Sequence, residues 1–469
     1  MLVPQRQHII HKGASEITRR AILLFLGWGM DATPFLCLEK PGYDIVALYD
    51  YTDAPHFPDL SLSGYREIVV VAWSFGVRAA VDFLNTTDLP VTRTIAVNGT
   101  PRHIDDMEGI PAGIFKATLD SLSEDSVRKF MRRMFGSATA YKDFESMAPH
   151  RDFRSRKAEL EVFGACSPSG CTRLWNVVVV GGRDLVFPCT NQLHAWKDAH
   201  VEMIAEMPHF PDMQMILNRF VVDKDLVARR FADASSTYDT NAAVQQEAAS
   251  ELWRLTVESI NTDRVFGNVL EVGAGSGMLT RMYAGSLKMK SLRLWDLAPL
   301  ASDAIPDFAE CVTCDAEVEA GNLQPGSVDL LLSSSTLQWF HAPDKFLRKA
   351  AKSLSSGGSM ALMYYAQGTC SELAMAGGIS LAYPDLDSIV TMLGACGMKI
   401  DHAHKAQITK IFDTPRDALM HLRSTGVNAL GRNSRAGAAA LSLLRHYPLD
   451  SAGRAPLTFV TAYIIATKK

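Results

Sequence analysis

A chain of 469 residues with a formal net charge of −4 and an ordinary apolar content is long enough for two or three domains. The near-neutral balance gives no case for a nucleic-acid partner or a membrane surface, and no segment approaches the roughly 18 consecutive apolar residues of a membrane span. Eight cysteines without framework spacing read as reduced thiols of a cytoplasmic protein, and no metal site is expected.

From its start to about residue 216 the chain alternates short apolar runs with helical stretches, the pattern of a mainly parallel sheet. Ala21–Leu26 is predicted as a core strand and is followed at once by Gly27-Trp28-Gly29. Glu67–Ala72 is another, running into Trp73-Ser74-Phe75-Gly76 and a helix. That is a nucleophile elbow, a sharp strand-to-helix turn that exposes a serine hydroxyl above the sheet, with Ala72 in place of the usual first glycine. A later strand, Asn176–Val180, ends in Gly181-Gly182-Arg183-Asp184, and His209 lies in Met207-Pro208-His209-Phe210-Pro211. The chain order Ser, Asp, His is that of an α/β-hydrolase, which makes Ser74 the candidate nucleophile, His209 its base and Asp184 the acid that orients the imidazole. Asp105 and Asp106 remain rivals for the last role. The backbone N–H groups of Trp28 and Phe75 are the candidate oxyanion donors.

The segments Phe25–Asp31, Trp73–Gly76, Asn98–Pro101 with Ile104–Asp106, and His209–Pro211 together resemble the BioG-type pimeloyl-[acyl-carrier-protein] methyl ester esterases. The resemblance covers nearly all of residues 15–216 and implies a hydrolase that removes a methyl ester in biotin synthesis. Between about residues 110 and 160 the strand pattern gives way to helices, a plausible lid. The lid carries Arg128, Lys129, Arg132 and Arg133, then Arg151, Arg154, Arg156 and Lys157. The resemblance implies an acidic acyl carrier protein as partner, and basic residues there, Arg128 and Arg132 first, would orient it.

Residues 217–230 hold no glycine or proline run, so a helical connection is expected before a second domain over 231–469. Val269–Val272 is a short buried strand bearing Glu271, and Gly273, Gly275 and Gly277 follow at alternate positions before a helix opening at Met278. Glycines there permit a tight turn and a close ligand approach. The dinucleotide fingerprint fails because residue 278 is methionine, whereas E-x-G-x-G-x-G resembles the first motif of S-adenosylmethionine-dependent methyltransferases. Asp296 ends the next strand, where a carboxylate can accept both ribose hydroxyls, and Asp315 after the third is a candidate adenine contact. Ser327–Ser333 and Gly358–Tyr364 continue the parallel set, and Ala406–Phe412 with Leu457–Thr467 are expected to close the sheet edge as an antiparallel pair. Cys311 and Cys314 read as strand residues instead of a metal or redox pair.

Tyr238, Ala242 and Gln245 at spacings of four and three, Leu337-Gln338-Trp339, and Leu422–Asn428 resemble the BioC-type malonyl-[acyl-carrier-protein] O-methyltransferases over about residues 226–469. One departure is Ser333-Ser334, where such proteins often carry Ser-Asn. Arg423 is the candidate for gripping the substrate carboxylate, although a helix-surface arginine is the competing account. The expectation is a bifunctional chain: an α/β-hydrolase domain over 1–216 and a Rossmann-like methyltransferase domain over 231–469. A small-acid methyltransferase beside a hydrolase of other specificity, or a carrier-binding scaffold with one inactive half, stays open.

Overall fold

The computed structural model describes residues 2–14, 19–52, 64–167, 175–300, 305–376, 381–425 and 436–469, without the side chains of 235–237 and 436–440. The chain divides into two compact units, Met1–Val221 and Val222–Lys469. Residues 222–230, expected as connection, lie in the second unit, whose first helix starts at Lys224. No helix among the described residues is long and apolar enough to cross a membrane, and the seven described cysteines are free thiols.

The first unit holds seven strands: β1 (Arg6–His11), β2 (Arg20–Phe25), β3 (Asp44–Tyr49), β4 (Glu67–Trp73), β5 (Val91–Val97), β6 (Val177–Arg183) and β7 (Val201–Pro208). They lie in the order β1-β3-β2-β4-β5-β6-β7, all parallel except β1, which is antiparallel to β3 at the edge. The run Glu-Ile-Val-Val-Val-Ala-Trp of β4 is buried at every position, as a strand covered on both faces requires. Four helices between Ala112 and Ala165 interrupt the strand–helix alternation between β5 and β6.

The second unit holds β8 (Val265–Val272), β9 (Lys288–Asp296), β10 (Glu310–Thr313), β11 (Val328–Ser334), β12 (Leu354–Tyr365), β13 (Met398–Phe412) and β14 (Ala455–Lys468). Their order is β10-β9-β8-β11-β12-β14-β13, with β14 antiparallel to both β12 and β13 and the remaining pairs parallel. Alternate strand residues feed two cores: Val269, Leu330, Leu332, Ala361 and Met363 pack on one face, Leu270, Leu331, Leu362 and Tyr364 on the other. The edge strand β13 alternates exposed with half-buried residues and carries Lys399, Lys405 and Lys410, charges that discourage pairing with another chain. Cys311 lies in β10 and Cys314 just beyond it; no group of potential metal ligands occurs among the described residues.

Candidate active sites

In the first unit β4 delivers Ser74 into a left-handed conformation, φ 59°, and the helix Gly76–Thr86 starts two residues later. Gly76 is required there because a Cβ would lie 2.3 Å from the Phe25 carbonyl oxygen. Ala72, fully buried, fits beneath the turn without the expected glycine. His209 follows β7, with its backbone carbonyl fixed by Trp73 Nε1 at 2.8 Å and Asn98 Nδ2 at 3.0 Å. Its Nε2 is 3.0 Å from Ser74 Oγ, and its Nδ1 is 3.0 Å from each oxygen of Asp184. All three side chains are buried. The Asp184 carboxylate also accepts the Val186 and Phe187 amides and Gln192 Nε2, so its orientation is over-determined.

Asp105 and Asp106 are spent elsewhere. Asp105 caps the Met107 and Glu108 amides and Asp106 accepts the Ala112 amide, so the histidine's partner is Asp184. The Trp28 and Phe75 amides donate to no acceptor among the described residues. The turn bearing Trp28 is held from the helix Phe153–Ala165: Gly29 N donates to Glu159 Oε2 at 2.7 Å, and Trp28 Nε1 to the Arg156 carbonyl at 2.7 Å. Glu159 is fully buried, which pushes its carboxyl above the usual range, while Arg151 at 2.7 Å draws it back. Arg151 also meets Asp50 at 2.9 Å and is itself buried. The expectation that Arg151 belongs to an exposed basic face is therefore wrong: it ties residues far apart in sequence. Arg128 and Arg132 are exposed, the first paired with Asp125, the second with its guanidinium 5.3 Å from the Tyr141 ring centre.

A cavity of about 40 Å³ opens beside Ser74, lined by Trp28 and Phe75 and by Ile110, Phe115, Phe130, Leu160 and Val186. Arg133 is its one charged lining residue. Apart from Trp28 and Phe75, expected beside Ser74, sequence patterns place these residues in helices and loops without marking which of them converge on the serine.

In the second unit β8 ends in a turn whose three glycines all have positive φ: 76° at Gly273, 54° at Gly275 and 75° at Gly277. A Cβ on Gly273 would lie 1.9 Å from Thr336 Oγ1, whereas one on Gly275 would point into open space. A cavity of about 340 Å³ lies at the strand ends, within the ordinary range of small-molecule sites. Gly273, Gly275, Asp296 and Asp315 line it, joined by residues not singled out from sequence, among them Lys224, Phe231, Ser276 and Leu297. Asp296 accepts the Gly275 and Ala298 amides, and burial pushes its carboxyl up. Asp315 accepts Lys224 Nζ at 2.6 Å and the Glu317 amide at 3.0 Å.

Two expected members of this site stand outside the large cavity. Glu271 is buried under the glycine turn, where one oxygen accepts Thr280 Oγ1 at 2.7 Å and Tyr283 Oη at 2.5 Å. It borders only a smaller adjoining cavity, and burial pushes its carboxyl up to about 7 against those hydrogen bonds. Its visible work is to fasten the helix Thr280–Tyr283 to β8. Gly277 closes the turn through its N–H to the Ala274 carbonyl and lines neither cavity. The spacings of four and three at Tyr238, Ala242 and Gln245 do not belong to one helix: Lys224–Asn241 ends and Ala243–Ser259 begins at Ala242. Arg423 is exposed on the helix Pro415–Ser424 and lines none of these cavities. Residues 426–428 of its motif lie outside the described residues.

Comparison with known proteins matches residues 5–215 to the family described as pimeloyl-ACP methyl esterase BioG, and residues 270–362 to that of a methyltransferase domain. A malonyl-[acyl-carrier protein] O-methyltransferase of Bacteroides fragilis is 34% identical over 468 residues, covering 97% of this chain and 94% of that protein. One from Chlorobium phaeovibrioides is 31% identical over 258 residues, 53% of this chain and 98% of its own. The crystal structure of BioG from Haemophilus influenzae is similar at 31% identity and a TM-score of 0.40, covering 44% of this chain and 94% of that one. The chain belongs to the malonyl-[acyl-carrier protein] O-methyltransferase family, with a BioG domain in its N-terminal half and a methyltransferase domain in its C-terminal half.

Proposed function

We propose that the chain both forms and hydrolyses a methyl ester. The second unit methylates the free carboxylate of a malonyl thioester on acyl carrier protein. The first, an α/β-hydrolase with the helices from Ala112 to Ala165 as its lid, cleaves the methyl ester of the pimeloyl thioester made after chain extension. The observation that carries the reading is His209 standing 3.0 Å from Ser74 Oγ and from Asp184 together, the geometry for a general base and its orienting acid.

In hydrolysis Ser74 Oγ attacks the ester carbonyl while His209 Nε2 takes its proton. The Trp28 and Phe75 amides stabilise the oxyanion, and His209 returns the proton to the departing methanol. Water, activated by the same imidazole, then releases the free acid. The apolar cavity supports preference for the longer acyl chain: four extra methylenes at about 0.8 kcal/mol each give roughly two hundredfold. That preference would protect the short malonyl ester. Arg128 and Arg132, exposed on the lid, would meet an acidic carrier.

The methyl donor is S-adenosylmethionine, which supplies an electrophilic methyl: the new carbon–oxygen bond forms as the carbon–sulfur bond breaks with its electron pair, and no proton moves. The residues at the large cavity fit it. Gly275 leaves space for close approach, Asp296 presents a carboxylate to ribose hydroxyls, and Asp315 stands where an adenine amine would donate. What the protein contributes is alignment and exclusion of water. Labelling by a fluorophosphonate, lost in Ser74→Ala, with kcat/KM on carrier-bound malonyl and pimeloyl methyl esters, tests the hydrolase half. Equal values for the two esters refute the proposed selectivity.

A further inference from the structure

Beside the large cavity lies a small one of about 20 Å³, and Phe231, Tyr238, Ser335 and Trp339 line both. A buried water needs about 10–15 Å³, so the space takes one or two atoms of water size, as the oxygens of a carboxylate reaching in from the large cavity are. Three buried polar atoms of its lining have no hydrogen-bond partner among the described residues: Trp339 Nε1, Gln245 Oε1 and Tyr365 Oη. Ser335 lies near the Tyr365 hydroxyl without meeting bond geometry. Gln245, Trp339 and Tyr365 are 3%, 5% and 4% exposed, and unpaired polar atoms at that burial are costly unless something else fills their valence. They come from separate elements that share this cavity, and among the described residues no cationic side chain lines it.

Resting on the carboxyl-methyltransferase reading above, we propose that this small cavity seats the acceptor carboxylate, held by uncharged donors: the Tyr365 hydroxyl, the Trp339 indole N–H and the Gln245 amide. The Gln245 side chain can turn its NH2 group inward, since no donor holds its oxygen. A neutral cradle suits the chemistry better than a guanidinium. The carboxylate loses its charge as the methyl arrives, so a salt bridge would stabilise the starting state more than the transition state and raise the barrier. The countercharge that a buried anion needs is the neighbouring sulfonium, which is discharged in the same step. Arg423, exposed and away from the cavity, has no part in it.

The test uses the full chain loaded with sinefungin, an S-adenosylmethionine analogue whose ammonium supplies the positive charge of the sulfonium and which transfers no methyl. Binding of malonyl-pantetheine is measured by calorimetry, without turnover, for the wild type, Tyr365→Phe, Gln245→Leu and Arg423→Ala. Loss of one hydrogen bond to a charged group predicts that each of the first two weakens binding about tenfold to a hundredfold. Affinity for the nucleoside itself should stay within about twofold in Tyr365→Phe, because Tyr365 lines neither the large cavity nor the one at the glycine turn, which Gln245 does border. Arg423→Ala should bind as the wild type does. Unchanged affinity in both cradle variants, or a tenfold loss in Arg423→Ala, overturns the site. A wild type that binds the thioester but transfers no methyl leaves the site standing and defeats the functional reading. One that binds none defeats both.

Discussion

Replacing Glu159 with alanine should damage ester hydrolysis without touching the nucleophile or its base. The fully buried carboxylate takes hydrogen bonds from Gly29 N, Tyr51 N and Arg151 in a single interior knot. Breaking a buried ion pair costs about 3–5 kcal/mol, and a stranded buried amide about 1–3 kcal/mol. Those contributions do not add, because Arg151 keeps Asp50 at 2.9 Å and the glutamate's own desolvation offsets part of its benefit. A net loss of about 4 kcal/mol is expected, a large share of the stability of a unit this size. By scanning calorimetry the transition of the first unit should fall by about 8–16 °C. The released Gly27–Gly29 turn should also misplace the Trp28 amide, lowering kcat about a hundredfold, as loss of one oxyanion donor does. Glu159→Gln, which keeps the volume and one acceptor oxygen, should lie between. A shift below about 2 °C with hydrolysis intact would refute the reasoning.

Asp184→Asn should leave Ser74 in place but deprive His209 of its orienting anion, cutting kcat for ester hydrolysis by about 10⁴ as measured by methanol release. In the second unit, Glu271 has a folded pKa raised from 4.5 to about 7. Its contribution to stability is therefore present below pH 4.5 and lost as pH rises to about 7, by at most about 3 kcal/mol. Glu271→Gln should remove that slope in urea unfolding followed from pH 4.5 to 8, and an identical slope in both proteins would contradict it. Gly275→Ala, with space for its Cβ but a positive φ, should cost about 1–2 kcal/mol of stability and weaken S-adenosylhomocysteine binding. Gly273→Ala should unfold the turn outright, since its Cβ collides with Thr336; circular dichroism and calorimetry separate the two.

What could be read from sequence was what is local. The elbow at Ser74, the glycine turn and the strand-end Asp296 are each set by a few consecutive residues, and the apolar runs of β4 and β8 fix their strands by burial. Choosing Asp184 over Asp105 and Asp106 needed the direction of a carboxylate, which the Val186 and Phe187 amides and Gln192 decide. Arg151 resembles its solvated neighbours in sequence, yet its partners Asp50 and Glu159 draw it inside. Glu271 carries the same strand-end signature as Asp296, but its side chain turns beneath the turn to Thr280 and Tyr283. The small cavity at Tyr365 gathers residues from across the unit, and no spacing announces it.

The most direct measurement follows both reactions in one preparation of the full chain: methyl transfer from labelled S-adenosylmethionine to malonyl-acyl carrier protein, and methanol release from the pimeloyl methyl ester. Ser74→Ala should abolish methanol release and leave transfer intact, while Gly275→Asp should do the reverse. Loss of both reactions in either variant, or of neither, would contradict two independent sites that add and remove the same ester.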